Sequence, residues 1–249
     1  MGVKVAVIGK GEETKPVLGV PDDNDPRILM NGQSTLYISK IELRDDGNKS
    51  AKNYFNCMDD SYLHLDQVRV ANLENPMLAA GCEITLNRTV ITNTSGGSTI
   101  SESKLTMVNS FVSSNTNAAN FGGPFRLSTN TEVNLTNVTF VDNQGTTTTG
   151  IICAAGIVTM NIRNSVLLGD PAPLKMCQVD DSPGTFTQTD KDLWKTLFQS
   201  PKEGIFRPKS GADDIKIATW AEGDPYIDYD GNLRSTDLEE LVFAGATRP

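Results

Sequence analysis

The chain has 249 residues, and none of its apolar runs approaches the roughly 20 residues of a membrane span. Met1-Gly-Val-Lys lacks the apolar core of a signal peptide. Basic residues are in deficit: 22 Lys and Arg stand against 31 Asp and Glu, a net charge of -9. That balance argues against nucleic acid, whose phosphates demand Lys/Arg patches. It suits solubility, neutral glycans or cations. Four cysteines are too few for a disulfide scaffold and lack C-x-x-C metal spacing. Histidine occurs once, at His64.

What the chain has is repetition. One phrase recurs six times: Leu36-Tyr-Ile38-Ser-Lys-Ile41-Glu-Leu43, Leu63-His-Leu65-Asp-Gln-Val68-Arg-Val70, Ile84-Thr-Leu86-Asn-Arg-Thr89-Val-Ile91, Leu105-Thr-Met107-Val-Asn-Ser110-Phe-Val112, Val133-Asn-Leu135-Thr-Asn-Val138-Thr-Phe140 and Met160-Asn-Ile162-Arg-Asn-Ser165-Val-Leu167. The aligned residues Ile38, Leu65, Leu86, Met107, Leu135 and Ile162 lie 27, 21, 21, 28 and 27 apart. A period in this range marks a solenoid. Within each copy apolar residues alternate, break for two positions and alternate again. Alternation predicts a strand with one buried face, and the break predicts a corner. In residues 77–98, Met77-Leu-Ala-Ala80 reads as a first strand, Glu83-Ile-Thr-Leu86 as a second and Thr89-Val-Ile91 as a third.

Three short strands per coil with one tight corner resemble the right-handed parallel β-helix family, over roughly residues 3 to 180. The expected fold is all-β: a single-stranded right-handed parallel β-helix of about seven coils over 1–180, with an irregular segment, 181–249, packed along one face. Asn109, Asn137 and Asn164 share the corner position of three rungs. In this family such asparagines form a ladder along the axis, and the same is expected here; Lys40, Gln67 and Arg88 depart from it. Val5-Ala-Val7-Ile8 reads as a second strand and Lys15-Pro-Val17-Leu18-Gly-Val20 as a third. The chain thus starts mid-rung. We expect an uncapped N-terminal edge, at which the native protein continues upstream or pairs, and a longer parent that carried the signal.

Segment 181–249 holds Leu193, Trp194, Leu197, Phe198, Trp220, Tyr226 and Tyr229, too apolar for a solvated linker. Outward positions on the third strand are Glu42, Arg69, Val90, Phe111, Thr139 and Val166. Three of the six are bare hydrophobes, which a solvated face should not show. The segment is expected to cover them; a partner-binding surface is the alternative. Asp224-Pro-Tyr-Ile-Asp228-Tyr-Asp230-Gly-Asn-Leu-Arg234, followed by Ala244-Gly-Ala246, resembles the closing motif of secreted bacterial β-helix repeat proteins. That resemblance implies an extracellular or cell-surface location. Ile8-Gly-Lys-Gly11 and Gly81-Cys-Glu-Ile-Thr-Leu86 carry the same resemblance.

Many members of the family are polysaccharide lyases or glycoside hydrolases, with a groove along the first strands. The outward residues there are read as Asn56, Ala79, Ser101, Arg126 and Ile151. This strip offers no carboxylate pair for glycoside hydrolysis, and Arg126 is its lone base. Asp59 and Asp60, with Asp66 near them, form the best acidic cluster, for calcium or as a solvated turn. Asp228 and Asp230 are a second cation candidate, and Asp-Gly is equally an ordinary turn. His64 points outward between Tyr37 and Thr85, as a base or a plain surface residue. The outward second-strand row, Tyr37, His64, Thr85, Thr106, Asn134 and Asn161, is flat and polar with an aromatic end, which suits sugar contacts.

These residues support two functions. One is a non-catalytic surface module that binds a polysaccharide or a cell-surface partner, or forms a structural part of a larger protein, with no cofactor beyond calcium. The other is a lyase or hydrolase of acidic polysaccharide, with Arg126, Asp59, Asp60 and His64 as its candidates. For the cysteines, four free buried thiols are the plain expectation. Cys153 and Cys177, about one coil apart, would bridge adjacent coils in an exported parent. Asn-x-Ser/Thr sequons at Asn48, Asn87, Asn93, Asn134 and Asn137 are what a chain rich in Asn and Thr produces by chance.

Overall fold

The computed structural model describes residues 2–10, 15–19, 28–44, 54–116, 122–190, 192–200 and 203–249. Among them the protein is all-β, with two parallel sheets of thirteen and eight strands, and helix is confined to the short turns Trp194–Leu197 and Asp213–Ile215. Every strand pairs with its counterpart one repeat away. The second strands run from Lys4–Ile8 through Thr35–Ser39, Lys104–Val108, Thr131–Thr136 and Val158–Arg163 to Gln178–Asp181. The third strands form the eight-stranded sheet, from Val17–Gly19 and Glu42–Arg44 to Val166–Leu168 and Phe186–Gln188. The early strands Val5-to-Ile8 and Val17-to-Gly19 thus take the second and third places that their alternation predicts.

In two repeats the first and second strands are continuous. Phe55–Asp66 and Met77–Asn87 each turn the corner without leaving the sheet. Between Met58 and Ser61 the register slips, so Asp59 and Asp60 bulge outward. Both adopt a left-handed backbone, φ 57°, and opposite them Gly81 takes φ 67°. The sequence breaks there read as full corners; the structure makes them bulges, which bend a strand while keeping its pairing.

The core follows from the alternation. The inward residues of each strand stack on their counterparts, and Ile38, Leu65, Leu86, Met107, Leu135 and Ile162 are all buried. Their column, with Val70, Ile91, Val112, Phe140 and Leu167 of the third strands, is one continuous apolar cluster. Strand-to-strand spacing is about 4.8 Å, which places like residues in van der Waals contact along the stack.

The corner after each second strand has one conformational demand. Lys40, Gln67, Arg88, Asn109, Asn137 and Asn164 all adopt positive φ, between 46° and 58°. Asparagine tolerates this region better than most residues, which accounts for its recurrence. The expected side-chain ladder does not form between these asparagines. Asn109 Nδ2 instead donates to the Ile227 carbonyl at 2.8 Å, and Asn164 Nδ2 donates to the Thr219 carbonyl at 2.9 Å. A ladder exists at the next corner. Asn115 Nδ2 donates to Asn143 Oδ1 at 2.9 Å and to the Ile91 carbonyl at 3.1 Å. Asn143 Nδ2 donates to the Val112 carbonyl at 2.9 Å, and Thr94 Oγ1 donates to Asn115 Oδ1 at 2.9 Å.

The expectation of free thiols is overturned, because none is free, while the Cys153–Cys177 bridge named from the sequence is present. Cys57 pairs with Cys82, Cα atoms 6.2 Å apart, and Cys153 with Cys177, 5.0 Å apart. Each bridge joins neighbouring repeats. Cys57 and Cys82 face inward on neighbouring repeats, and parallel stacking brings their Cα atoms within disulfide reach.

The C-terminal segment runs over the third strands. Val90, Phe111, Val141, Val166 and Leu168 form a second apolar cluster with Leu197, Phe198, Phe206, Ile215, Ala218, Ala244 and Ala246. The three bare hydrophobes Val90, Phe111 and Val166 are therefore fully buried. Tyr229 meets Phe111 edge-on, with ring centroids 5.2 Å apart.

Candidate functional site

The outward second-strand row is continuous. Ala6, Tyr37, His64, Thr85, Thr106, Asn134, Asn161 and Asp181 are aligned partners in successive strands. From Tyr37 to Asn134 the side chains are half-buried, and Asn161 is exposed. Tyr37 and His64 stack with ring centroids 5.0 Å apart and planes 23° from parallel. Tyr62, in the adjacent row, shares a hydrogen bond with Thr85 Oγ1 at 3.4 Å. At the other end Asn161 Nδ2 donates to Asn134 Oδ1 at 3.1 Å, and Asn134 Nδ2 to Glu132 Oε1 at 2.7 Å. These bonds hold the two amides to their neighbours along the row. The row offers flat aromatic contact at one end and hydrogen-bonding groups along the rest.

Partial burial against Tyr37 and the sheet lowers the His64 pKa below its ordinary value, and the charge of Asp66 opposes this. His64 is therefore neutral at neutral pH. Asp66 itself belongs to the corner. It accepts from Arg88 at 3.0 Å, from Asn87 Nδ2 at 2.8 Å and from Ser39 Oγ at 3.4 Å. Asp66 ends the strand Phe55–Asp66, whose middle carries the Asp59–Asp60 bulge. Five residues of extended chain, roughly 17 Å, separate them, so the acidic cluster read from the sequence does not assemble. Asp59 and Asp60 are exposed on the bulge.

The first-strand strip also differs from its sequence reading. The outward row is Leu29, Asn56, Leu78, Thr99, Arg126, Ile152 and Lys175. Ala79 and Ile151 face inward and are fully buried. A slip of one residue exchanges the two faces of a strand, and here it misassigned two positions. Asn56 and Arg126 keep their outward places, and Ser101 lies in the neighbouring row beside Ala80 and Ser128. Arg126 thus shares its row with a second cation, Lys175. Among the described residues no group of three or more His, Cys, Asp and Glu is placed to hold a metal ion.

The closing motif is a clasp. Asp228 is fully buried and its Oδ1 accepts from the Asn232 amide at 2.8 Å. Asp230 pairs with Arg207 through both oxygens, at 2.6 and 3.0 Å. Arg234 reaches the carbonyls of Gly245 and Ala246, at 2.9 and 3.1 Å, and Asn109 Oδ1 at 3.2 Å. Burial pushes the Arg234 pKa down to about 10, which leaves it charged at neutral pH. Asp224 binds Arg163 at 2.8 Å and Asn164 Nδ2 at 3.2 Å. Gly245 adopts φ 93°, and a Cβ there would meet Thr139 Oγ1 at 2.5 Å. Asp228, Asp230 and the Arg234 bonds to Gly245 and Ala246 hold the segment to itself, while Asp224 and the Arg234–Asn109 bond tie it to the corners beside the third strands.

One surface had no signal in the sequence. A cleft of about 560 Å³ opens between the turns after the third strands and the helix Trp194–Leu197. It is lined by Asp142, Asn143, Gln144, Asp170, Trp194 and Lys195, among others. The cleft exists only because residues 50 positions apart are packed together, so no local pattern marks it. Of the sequons, Asn48 lies outside the described residues, Asn137 is buried and Asn93 is exposed in a turn. No protein-family model, curated protein or solved structure matches the chain.

Proposed function

We propose that residues 1–180 form a right-handed parallel β-helix of about seven coils, with 181–249 as its lateral cover. The protein acts as a non-catalytic extracellular or cell-surface module, and it binds glycans through the second-strand face. The carrying observation is the unbroken row from Tyr37 to Asn161: six outward positions in register, aromatic at one end and hydroxyl or amide along the rest. Its neighbour, the third-strand strip, is covered by the protein's own segment, which leaves the second-strand face to a partner. The extracellular location is supported by disulfide pairing of every cysteine, a state that persists in oxidising compartments. The net charge of -9 favours uncharged glycans over polyanions.

A glycan array probed with the wild type and with a Tyr37→Ala/His64→Ala/Asn161→Ala triple variant tests the reading. Loss of at least tenfold in apparent affinity for a bound glycan is expected. Binding that is unchanged in the triple variant removes the face from consideration. Release of unsaturated or reducing-end products from a polysaccharide panel, with or without calcium, replaces the module with a lyase or hydrolase.

A further inference from the structure

The cleft beside Trp194 has the dimensions of a ligand site. Its volume of about 560 Å³ falls in the range of roughly 300–1,000 Å³ that small-molecule pockets occupy. Its lining combines an aromatic wall with hydrogen-bonding side chains. Trp194 is half-buried, meets Phe206 edge-on at 5.4 Å between centroids and lines the cleft. Asn143 is fixed by the Asn115 ladder. Asp142 accepts from Ser114 Oγ at 3.0 Å, which sets its carboxylate at the rim. Asp170 has no hydrogen bond or ion pair among the described residues, so both its oxygens are open to a ligand.

The floor is tightly packed. A Cβ on Gly145 would meet the Thr148 carbonyl oxygen at 1.9 Å, and one on Gly169 would meet Thr149 Oγ1 at 1.7 Å. Both positions therefore require glycine. The movable element is Lys195. It is exposed, pairs with Asp192 at 2.6 Å and extends over the Trp194 ring at 5.8 Å from the centroid. An exposed pair of this kind contributes little, so a ligand displaces the lysine from the ring at small cost.

We propose that this cleft binds one sugar unit of a neutral oligosaccharide, its apolar ring face on Trp194 and its hydroxyls donating to Asp142 and Asp170. Aromatic rings present the flat apolar contact that a pyranose face matches, with polar groups at its edge. Three aspartates against one lysine give the cleft a negative field that disfavours uronates. The inference deepens the glycan-binding reading, and rests on it, while placing a second contact about the third-strand turns and away from the Tyr37–Asn161 face.

Calorimetric titration of the full chain with N-acetylated chitotetraose, other neutral tetrasaccharides and an oligogalacturonate tests it. Asp170→Ala and Trp194→Ala should each weaken a binding neutral tetrasaccharide at least tenfold, with Trp194→Phe recovering part of the loss. Asp170 is exposed, so its variant keeps the fold even if Trp194→Ala does not. Neutral binding that withstands Asp170→Ala and Trp194→Phe but falls with Tyr37→Ala/His64→Ala overturns the cleft and leaves the face. Absence of binding to every neutral oligosaccharide overturns both. Tighter binding of the oligogalacturonate than of any neutral ligand overturns the assigned class.

Discussion

His64 shows how a single position acquires its chemistry from a repeat. Alternation alone turns it outward, and register then sets Tyr37 beside it at 5.0 Å. Partial burial disfavours the imidazolium, so the folded-state pKa lies below the unfolded value of about 6.5. Below that value the unfolded chain binds the proton more readily, and stability is lost as pH falls. Above it both states are neutral and the residue adds no pH dependence. Urea unfolding between pH 8 and 5 should therefore show a decline, beginning near pH 6.5, that is absent from His64→Gln. Identical pH profiles for the two proteins would show that the imidazole is as well solvated folded as unfolded. The corner residues teach a complementary point. Lys40, Gln67 and Arg88 occupy the same positive-φ place as Asn109, Asn137 and Asn164, although the sequence marks only the asparagines. Backbone conformation there is imposed by stacking, and the side chain merely tolerates it.

At the level of strands, the second and third places were legible down to single residues, including the early pair at Lys4–Ile8 and Val17–Gly19. Both depend on strict alternation next to a tight corner, and alternation is local information. The first strands were less legible. Their faces are set by register with the neighbouring repeats, which places Leu78 and Ile152 outward and Ala79 and Ile151 inward; short first strands carry too few residues for alternation alone to fix that. The asparagine ladder was misplaced for a related reason. Asn is frequent at both corners, and only the folded register separates Asn115 and Asn143, which bond to each other, from Asn109 and Asn164, which bond to the covering segment. Asn115 is fully buried and satisfies Thr94, the Ile91 carbonyl and Asn143 together. Asn115→Ala strands several of these partners and should cost roughly 3 kcal/mol in urea denaturation. Asn161→Ala, at an exposed position, should stay within about 0.5 kcal/mol. Equal effects would mean that the ladder adds nothing beyond ordinary surface hydrogen bonding.

For the whole molecule, parallel stacking has a consequence that the C-terminal segment offsets. Repeats that touch only their neighbours gain stability additively and can open from either end. The segment instead ties distant repeats together: Gly204 to Ser113, Ile227 to Asn109, Ala246 to Thr139, and Asp224 to Arg163. Two of its contacts to the repeats are charge-assisted, Asp224 with Arg163 and Arg234 with Asn109 Oδ1. Both tryptophans, Trp194 and Trp220, lie in this segment, while far-ultraviolet circular dichroism reports the sheets. Coincidence of two such probes is the test of all-or-none unfolding. In the wild type the fluorescence and dichroism transitions in urea should coincide. In Asp224→Ala/Arg234→Ala the segment should release first, with the fluorescence midpoint falling below the dichroism midpoint. Release would bare Val90, Phe111 and Val166, so a rise in hydrophobic dye binding should follow the fluorescence curve. Coincident curves in the double variant would mean that apolar burial alone holds the segment down and that the clasp is dispensable for cooperativity.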